Sequence, residues 1–505
     1  MDFSSVLSGF TVAFEWQNIL FCLLGVTVGM LIGVLPGLGP AATIAILLPV
    51  TYNLEPTAAV IMLAGIFYGA QYGGTITSVL LKLPGEASTV VTALDGHALA
   101  RRGQAGPALG IAAIASFIGG TASIILLTFI APALAGVALA FGPAEYTVLA
   151  LIGIFLVGTL GNGSVIKSAA AAAAGLLLAT VGLDPLLGTP RFTFGTDQLA
   201  DGIDFTIVAM GLFGVGEILY NLEHRDRPQT GVPSFGRAIP SRLHWLQSRL
   251  AILRGSVTGF ILGILPGGGA TMSSLVAYAV EKRTAKDPSR FGKGAIEGVA
   301  GPESANNAAA TSSFIPLLTL GIPANATMAV LFGALMLQGI TPGPQLMSDH
   351  PDVFWGVVNS MYLGNILLLI LSIPLIGLFV RMLKVRPGIL APITVVITMI
   401  GTYSIRNNAF DMLLVIGLGL LGYGMRKLGF EPGPFVLAFV LGSLLEASFR
   451  RSMRIFGGDV TEYVKQPVSG TLVAILVLTV VIVPLLRKVR TRQTAGAEAA
   501  GVKAD

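Results

Sequence analysis

Apolar residues run through this chain in long blocks, not in the alternation of a surface strand or the narrow stripe of a surface helix. A membrane-spanning helix needs about 20 mainly apolar residues. Blocks approaching that length fall near 17–35, 57–72, 106–135, 141–160, 165–183 and 203–221. They resume near 251–266, 303–320, 324–340, 353–380, 387–404, 410–425, 433–448 and 469–486. Several are short, or broken by glycine and proline. The pattern predicts an all-α polytopic membrane protein of about 10–12 transmembrane helices with re-entrant or broken helices. No Lys or Arg precedes the first block, so it is expected to stay as a membrane helix and not to be a cleaved leader.

Composition agrees. Hydrophobic residues make up 53% of 505 and charged residues only 11%, against roughly 25% charged in soluble domains. The 64 glycines suit close helix packing and deliberate breaks. The net charge of +5 comes from basic clusters between apolar blocks. That is the signature of cytoplasmic loops, and nucleic acid is not an expected partner. Cys22 is the single cysteine, which excludes an intramolecular disulfide.

The chain repeats itself. GVTVGMLIGVLPGLG at Gly25–Gly39 returns as GSVTGFILGILPGGG at Gly255–Gly269, an offset of 230 (Gly25 to Gly255). Downstream, Leu83-Pro84-Gly85-Glu86-Ala87-Ser88 resembles Ile322-Pro323-Ala324-Asn325-Ala326-Thr327, an offset of 239 (Pro84 to Pro323). Loop charges reverse between the copies. The loop after the first LPGxG, Thr51–Pro56, has Glu55 and no Lys or Arg; its counterpart, Glu281–Lys293, has Lys282, Arg283, Lys286, Arg290 and Lys293. Beyond the second motif the bias swaps: Arg101 and Arg102 in the first half, Asp349 and Asp352 in the second. With basic loops cytoplasmic, the copies enter the membrane in opposite senses, the inverted-repeat plan of many secondary transporters. The expected layout is a first inverted repeat over 17–221, a basic cytoplasmic linker over 222–250 and a second repeat over 251–448. A C-terminal loop and last transmembrane helix over 449–486 and a cytoplasmic tail over 487–505 follow.

The LPGxG copies are the first candidate site. Proline removes an amide donor and glycine permits unusual backbone, so the helix should break in mid-membrane. A helix restarting after the break presents bare amides and a positive dipole end, suited to a carboxylate. Unwound carbonyls suit Na⁺. Pro36, Gly37 and Gly39 in the first copy and Pro266, Gly267, Gly268 and Gly269 in the second are the expected substrate-binding backbone. Uncharged side chains that can hold carboxylate oxygens or sodium gather nearby: Thr77 and Ser78, then Asn306, Asn307, Thr311, Ser312 and Asn325. Single hydroxyls of this kind also commonly bond back to their own helix. Expected sodium ligands are backbone near Gly37, Gly267, Pro84 and Pro323, with the side chains of Ser304 and Asn306. Glu303, an acid within an apolar segment, is costly and so a candidate cation or proton carrier. There is no Walker A loop, HExxH or GxSxG, and His97, His224, His244 and His350 form no metal set, so an enzyme is not expected.

Five stretches carry a resemblance: GVLPGLGP, Tyr72–Glu86 (YGGTITSVLLKLPGE), Ala93–Gly110 (ALDGHALARRGQAGPALG), GILPGGGAT and Gly301–Pro323 (GPESANNAAATSSFIPLLTLGIP). Together they resemble the TctA family, the large membrane subunit of tripartite tricarboxylate transporters, over nearly the whole chain. The resemblance implies a multi-pass permease of the bacterial inner membrane that imports di- or tricarboxylates on a cation gradient, sodium by expectation, with no covalently bound cofactor. It implies a small TctB-like membrane subunit and a periplasmic TctC-like solute-binding protein as partners. A self-sufficient Na⁺- or H⁺-coupled carboxylate symporter shares every feature read from the residues; a channel or intramembrane enzyme fits them less well.

Overall fold

The computed structural model describes residues 3–35, 39–82, 85–160, 164–184, 187–223, 239–382 and 387–478. Helices of the first half are α1 (Phe3–Ala13), α2 (Trp16–Gly33), α3 (Pro40–Leu47), α4 (Pro56–Leu81), α5 (Val90–Leu99), α6 (Ala105–Ala138), α7 (Pro143–Leu160), α8 (Val165–Ala179), α9 (Phe205–Ala209) and α10 (Gly216–Glu223). The second half has α11 (Arg242–Ile264), α12 (Gly269–Thr284), α13 (Glu297–Ser312), α14 (Phe314–Leu320), α15 (Ala326–Leu337), α16 (Leu346–Asp349), α17 (Pro351–Ser372), α18 (Ile376–Met382), α19 (Pro387–Arg406) and α20 (Ala409–Lys427). It ends with α21 (Pro432–Ile455), α22 (Glu462–Lys465) and α23 (Pro467–Val477). Extended structure among the described residues is one two-stranded hairpin, Gly182–Leu183 with Pro190–Arg191.

Among the described residues, seven helices are long and apolar enough to cross a membrane. Other expected spans emerge as shorter apolar helices because glycine and proline divide them. The block near 303–320 becomes α13 and α14, and the block near 17–35 forms α2, which ends at Gly33. α11 starts at Arg242 behind a capping box in which Ser241 Oγ accepts from the His244 amide, so the end of the basic stretch is already helical. Residues 224–238 of that stretch, Pro36 and Gly37, Pro84, and the 487–505 tail lie outside the described residues.

Two helices form the centre. α4 is buried continuously from Ala58 to Leu80, and α13 from Gly298 to Ser312. Each is gripped by the helix two places before it. Gly25, Gly29 and Gly33 of α2 lie so close to α4 that a Cβ would collide with the carbonyls of Met62, Ile66 and Ala70. Gly255, Gly259 and Gly263 of α11 lie equally close to the carbonyls of Gly301, Ala305 and Ala309 in α13. The partners Met62 and Gly301 are themselves 239 apart, so both sequence offsets reappear in the contacts. The glycines therefore serve close helix packing, the general use of small residues spaced by four.

Loops of the two halves meet in pairs. Gln338 Nε2, opening the second loop of the second half, donates to Thr51 O in the first loop of the first half (2.8 Å). The Arg102 guanidinium, at the hairpin tip between α5 and α6, lies against Gly294, beside the basic 281–293 loop. Buried Asp95 ties the same side together, accepting from the amides of Gly294 (2.7 Å) and Ala295 (2.8 Å) and from the Tyr278 hydroxyl (2.8 Å).

Packing this tight makes an asymmetric prediction. Gly259→Val should destabilise the protein by at least ~1–3 kcal/mol through overpacking. Gly136→Ala, where a Cβ meets nothing within 4 Å, should be neutral or stabilise by up to ~1 kcal/mol. Thermal unfolding in detergent checks both; equal responses would mean that the α11–α13 approach has room for a side chain.

Candidate functional site

The breaks converge. A cavity of about 760 Å³ is walled by the opening turns of four helices: α3 after Gly39, α12 after Gly268, α15 after Asn325 and α21 after Glu431. Each opens with first-turn amides that have no carbonyl of their own helix to bond, fewer where proline stands: Pro40 in α3, and Pro432 and Pro434 in α21, which leave Gly433 as the one amide in the first three positions of α21. α3, α12 and α21 lack a side-chain cap, while Asn325 Oδ1 caps α15 by accepting from the Met328 amide (3.0 Å). Four positive dipole ends thus border one space, each equivalent to a fraction of a unit charge. A second depression of about 360 Å³, near Leu187 and Phe449, lies away from the breaks and is mostly apolar.

The second break has a defined backbone. Gly267 (φ 79°) and Gly269 (φ 50°) occupy the left-handed region that glycine tolerates. The Gly267 amide donates to Ala324 O (2.8 Å) and that of Gly268 to Leu265 O (2.9 Å). The open amides of this break therefore come after Gly269, at Ala270–Met272, which line the cavity.

Three carboxylates reach the cavity. Glu217 is paired with Arg426 Nη2 (2.6 Å), and Arg426 also stacks over Tyr220. Glu431 sits at the start of α21. Glu86, in the turn after α4, accepts from Ser88 Oγ. With its amide nitrogen toward the acceptors, Gln71 donates to Glu86 Oε2 (2.9 Å) and to Asn306 Oδ1 (2.9 Å).

The predicted residues separate into two groups. Gly39, Gly267, Gly268, Gly269 and Asn325 line the cavity together. Pro266 is half-buried and outside the lining, and the other described ones are buried outside it. Thr77 Oγ1 bonds Gly74 O (2.9 Å), Ser78 Oγ bonds Thr89 Oγ1 (2.7 Å) and Ser312 Oγ bonds Ala309 O (3.4 Å). Ser304 Oγ bonds Ile252 O and Ser256 Oγ (2.8 Å each), joining α13 to α11. Thr311 is buried in α13. Asn307 Nδ2 donates to Ser116 Oγ (2.7 Å) and Glu303 O (3.1 Å). Asn306 is fully buried beside Gln71, and its Nδ2 has no partner. Gln71, Ser88, Arg426 and the start of α21 were not singled out by sequence reasoning; the Glu431-Pro432-Gly433-Pro434 run was the signal available for the last.

Glu303 forms a separate polar centre. It is fully buried and accepts from Thr75 Oγ1 (2.8 Å), Thr92 Oγ1 (2.7 Å) and Ser116 Oγ (3.4 Å). One acid of the second half thereby joins α4, α5 and α6 of the first. Among the described residues no group of three or more His, Cys, Asp or Glu is placed to hold a metal ion.

Fold and cavity define an α-helical, multi-pass membrane protein built around helix ends that meet inside it. The chain belongs to the tripartite tricarboxylate transporter TctA family, whose model matches residues 19–437. It is 49% identical over 494 residues, 98% of each chain, to an Agrobacterium vitis protein described as an uncharacterized 52.8 kDa protein in the TAR-I ttuC' 3' region. It is 53% identical over 235 residues, 46% of this chain and 97% of the other, to a second from that organism, described as an uncharacterized protein in the TAR-II ttuC' 3' region. No solved structure matches the chain.

Losing one hydroxyl donor to the buried Glu303 carboxyl should be costly. Thr75→Val is expected to destabilise by ~1–3 kcal/mol, the range for leaving a buried polar group short of a partner. Thr319→Val, whose hydroxyl bonds only Ile315 O of its own helix (2.7 Å), should cost under about 1 kcal/mol. Thermal unfolding of the two variants side by side decides; equal losses would mean that Glu303 does not depend on Thr75.

Proposed function

We propose that this chain is the large permease subunit of a binding-protein-dependent secondary transporter that imports di- or tricarboxylates on a sodium gradient. In this reading it sits in the bacterial inner membrane beside a small TctB-like subunit and receives substrate from a periplasmic TctC-like protein. The observation that carries the reading is the meeting of four helix N-termini at one cavity. Substrate carboxylates would take the uncapped amides of Ala41 and Ala42 in α3, those after Gly269 in α12 and that of Gly433 in α21, with Asn325 and Arg426 beside them. Fixed dipoles of this kind hold anionic groups without a full balancing charge.

The two halves are read as inverted repeats. Supporting this, the first loop of each half lies with the second loop of the other: Thr51 with Gln338, and Gly294, just after the 281–293 loop, with Arg102. Repeats entering from opposite sides would bring their breaks together near the membrane centre, where such transporters bind substrate. Movement of one assembly against the other would then expose the cavity to each side in turn.

Uptake of labelled carboxylates into proteoliposomes, with the small subunit present, tests the reading. Accumulation is expected to require both an inward sodium gradient and the binding protein. Accumulation without the binding protein would make the chain a self-sufficient symporter, and no uptake across a broad carboxylate panel would sink the substrate class. Asn325→Ala, which removes the α15 cap at about 1 kcal/mol, should raise the apparent KM for substrate with little loss of folded protein.

A further inference from the structure

Glu86 poses an electrostatic problem that helix ends alone do not solve. A substrate with two or three carboxylates must enter a cavity that already holds this one. Glu217 in the same wall is matched by Arg426. No ion pair among the described residues includes Glu86; its neighbours are neutral and mostly present oxygen. Ser88 Oγ bonds its Oε1. The outer end of the Gln71 amide lies 2.9 Å from Glu86 Oε2, 3.3 Å from Ser88 Oγ and 2.9 Å from Asn306 Oδ1. These groups come from three separate segments, α4, the turn after it and α13. One of them, Asn306, is fully buried with its Nδ2 unpartnered, so this wall is an unfinished polar site. Glu303 lies one turn back on the same face of α13 and adds negative potential.

We propose that Glu86, Gln71, Ser88 and Asn306 form a sodium site at the cavity wall, with Asn306 behind the lining, and that filling it admits the carboxylate substrate. The proposal rests on the transport reading above and names where its coupling ion binds. The ligand set is one carboxylate, two amide groups and one hydroxyl. All supply hard oxygen, and together they carry one negative charge. That matches a monovalent ion and falls short of the several carboxylates calcium sites use. The Gln71 amide gives the site two states. With nitrogen inward it donates to Glu86 and Asn306 and closes the ring of oxygens without an ion. With the amide turned over, its oxygen completes the coordination of sodium. Sodium cancels the Glu86 charge, and the nearby helix ends are then free to hold an anion. Substrate and ion would therefore favour each other's binding by the same factor, as linkage requires.

The test is ²²Na⁺ binding to the purified chain, together with the rise in unfolding temperature that added NaCl gives over choline chloride. Wild type should bind sodium and be stabilised by it, as any ligand selective for the native state stabilises. Glu86→Gln should weaken sodium binding by at least ~10-fold, the scale of losses at perturbed ion sites, and should lose the sodium-specific stabilisation. Glu86→Asp, which keeps the charge at a shorter reach, should fall between them. Unfolding temperatures in choline, with Thr319→Val as reference, show whether each variant is folded. Unchanged sodium affinity in folded Glu86→Gln would overturn the proposal. So would a wild type that binds no sodium and whose uptake follows a proton gradient. Sodium binding that depends on Glu86, in a protein that moves no carboxylate under any condition, would support the ion site and overturn the transport reading instead.

Discussion

A backbone that stops being helical inside a bilayer must find its hydrogen-bond partners within the protein, because lipid offers none. Much of this structure follows from that constraint. The interruption between Ile264 and Gly269 and the start of α3 at Pro40 free amides and carbonyls that cannot face lipid. They face each other's surroundings instead. Gly267 bonds Ala324, linking one irregular segment of the second half to another, and the remaining open amides border a shared cavity. Close glycine-mediated approach of α2 to α4 and of α11 to α13 holds the helices that carry these breaks.

The same closeness sets the chemistry of the central helices. α4 and α13 are surrounded on every side, so the polar side chains they carry must find their partners within the protein. Glu303 is the extreme case, a carboxylate held by hydroxyls of three neighbouring helices. Charged or not, it makes the interior contact between halves depend on polar geometry as well as on van der Waals fit. Such a contact is specific, because the hydroxyls that match it lie at fixed positions on α4, α5 and α6.

How much of this was legible in the sequence depended on whether the signal was local. Apolar blocks, helix breaks and the repeated LPGxG motifs are local, and they gave the fold class and the segments that border the cavity. Hydroxyl-bearing residues were ambiguous, since a serine or threonine on a buried helix can bond its own backbone or face a site with the same sequence around it. Thr77 and Ser312 bond carbonyls of their own helices, and Ser304 serves the contact of α13 with α11. Gln71, Glu86 and Asn306 were harder to read as a group because they stand on segments up to 235 residues apart (Gln71 to Asn306) and meet only after folding. Arg426 was not legible for the same reason: its partner Glu217 lies 209 residues away.

Glu86 and Asn325 occupy equivalent positions, separated by the same offset of 239 that relates Pro84 to Pro323. Both line the cavity, yet one is an acid and the other a neutral cap. The difference has a physical sense in a site for anions. Two acids there would place two negative charges beside incoming carboxylates and would require two cations to offset them. Two asparagines would cap both helices but leave nothing to bind a coupling ion strongly. On the proposed reading of the halves as repeats, helix ends fall in matching positions because they are backbone features, insensitive to side-chain identity. Charge is a side-chain property and can be kept in one copy and lost in the other. On the proposed reading, the backbone symmetry accommodates the substrate's several carboxylates, and the broken side-chain symmetry at 86 and 325 is what lets a single cation decide when they enter.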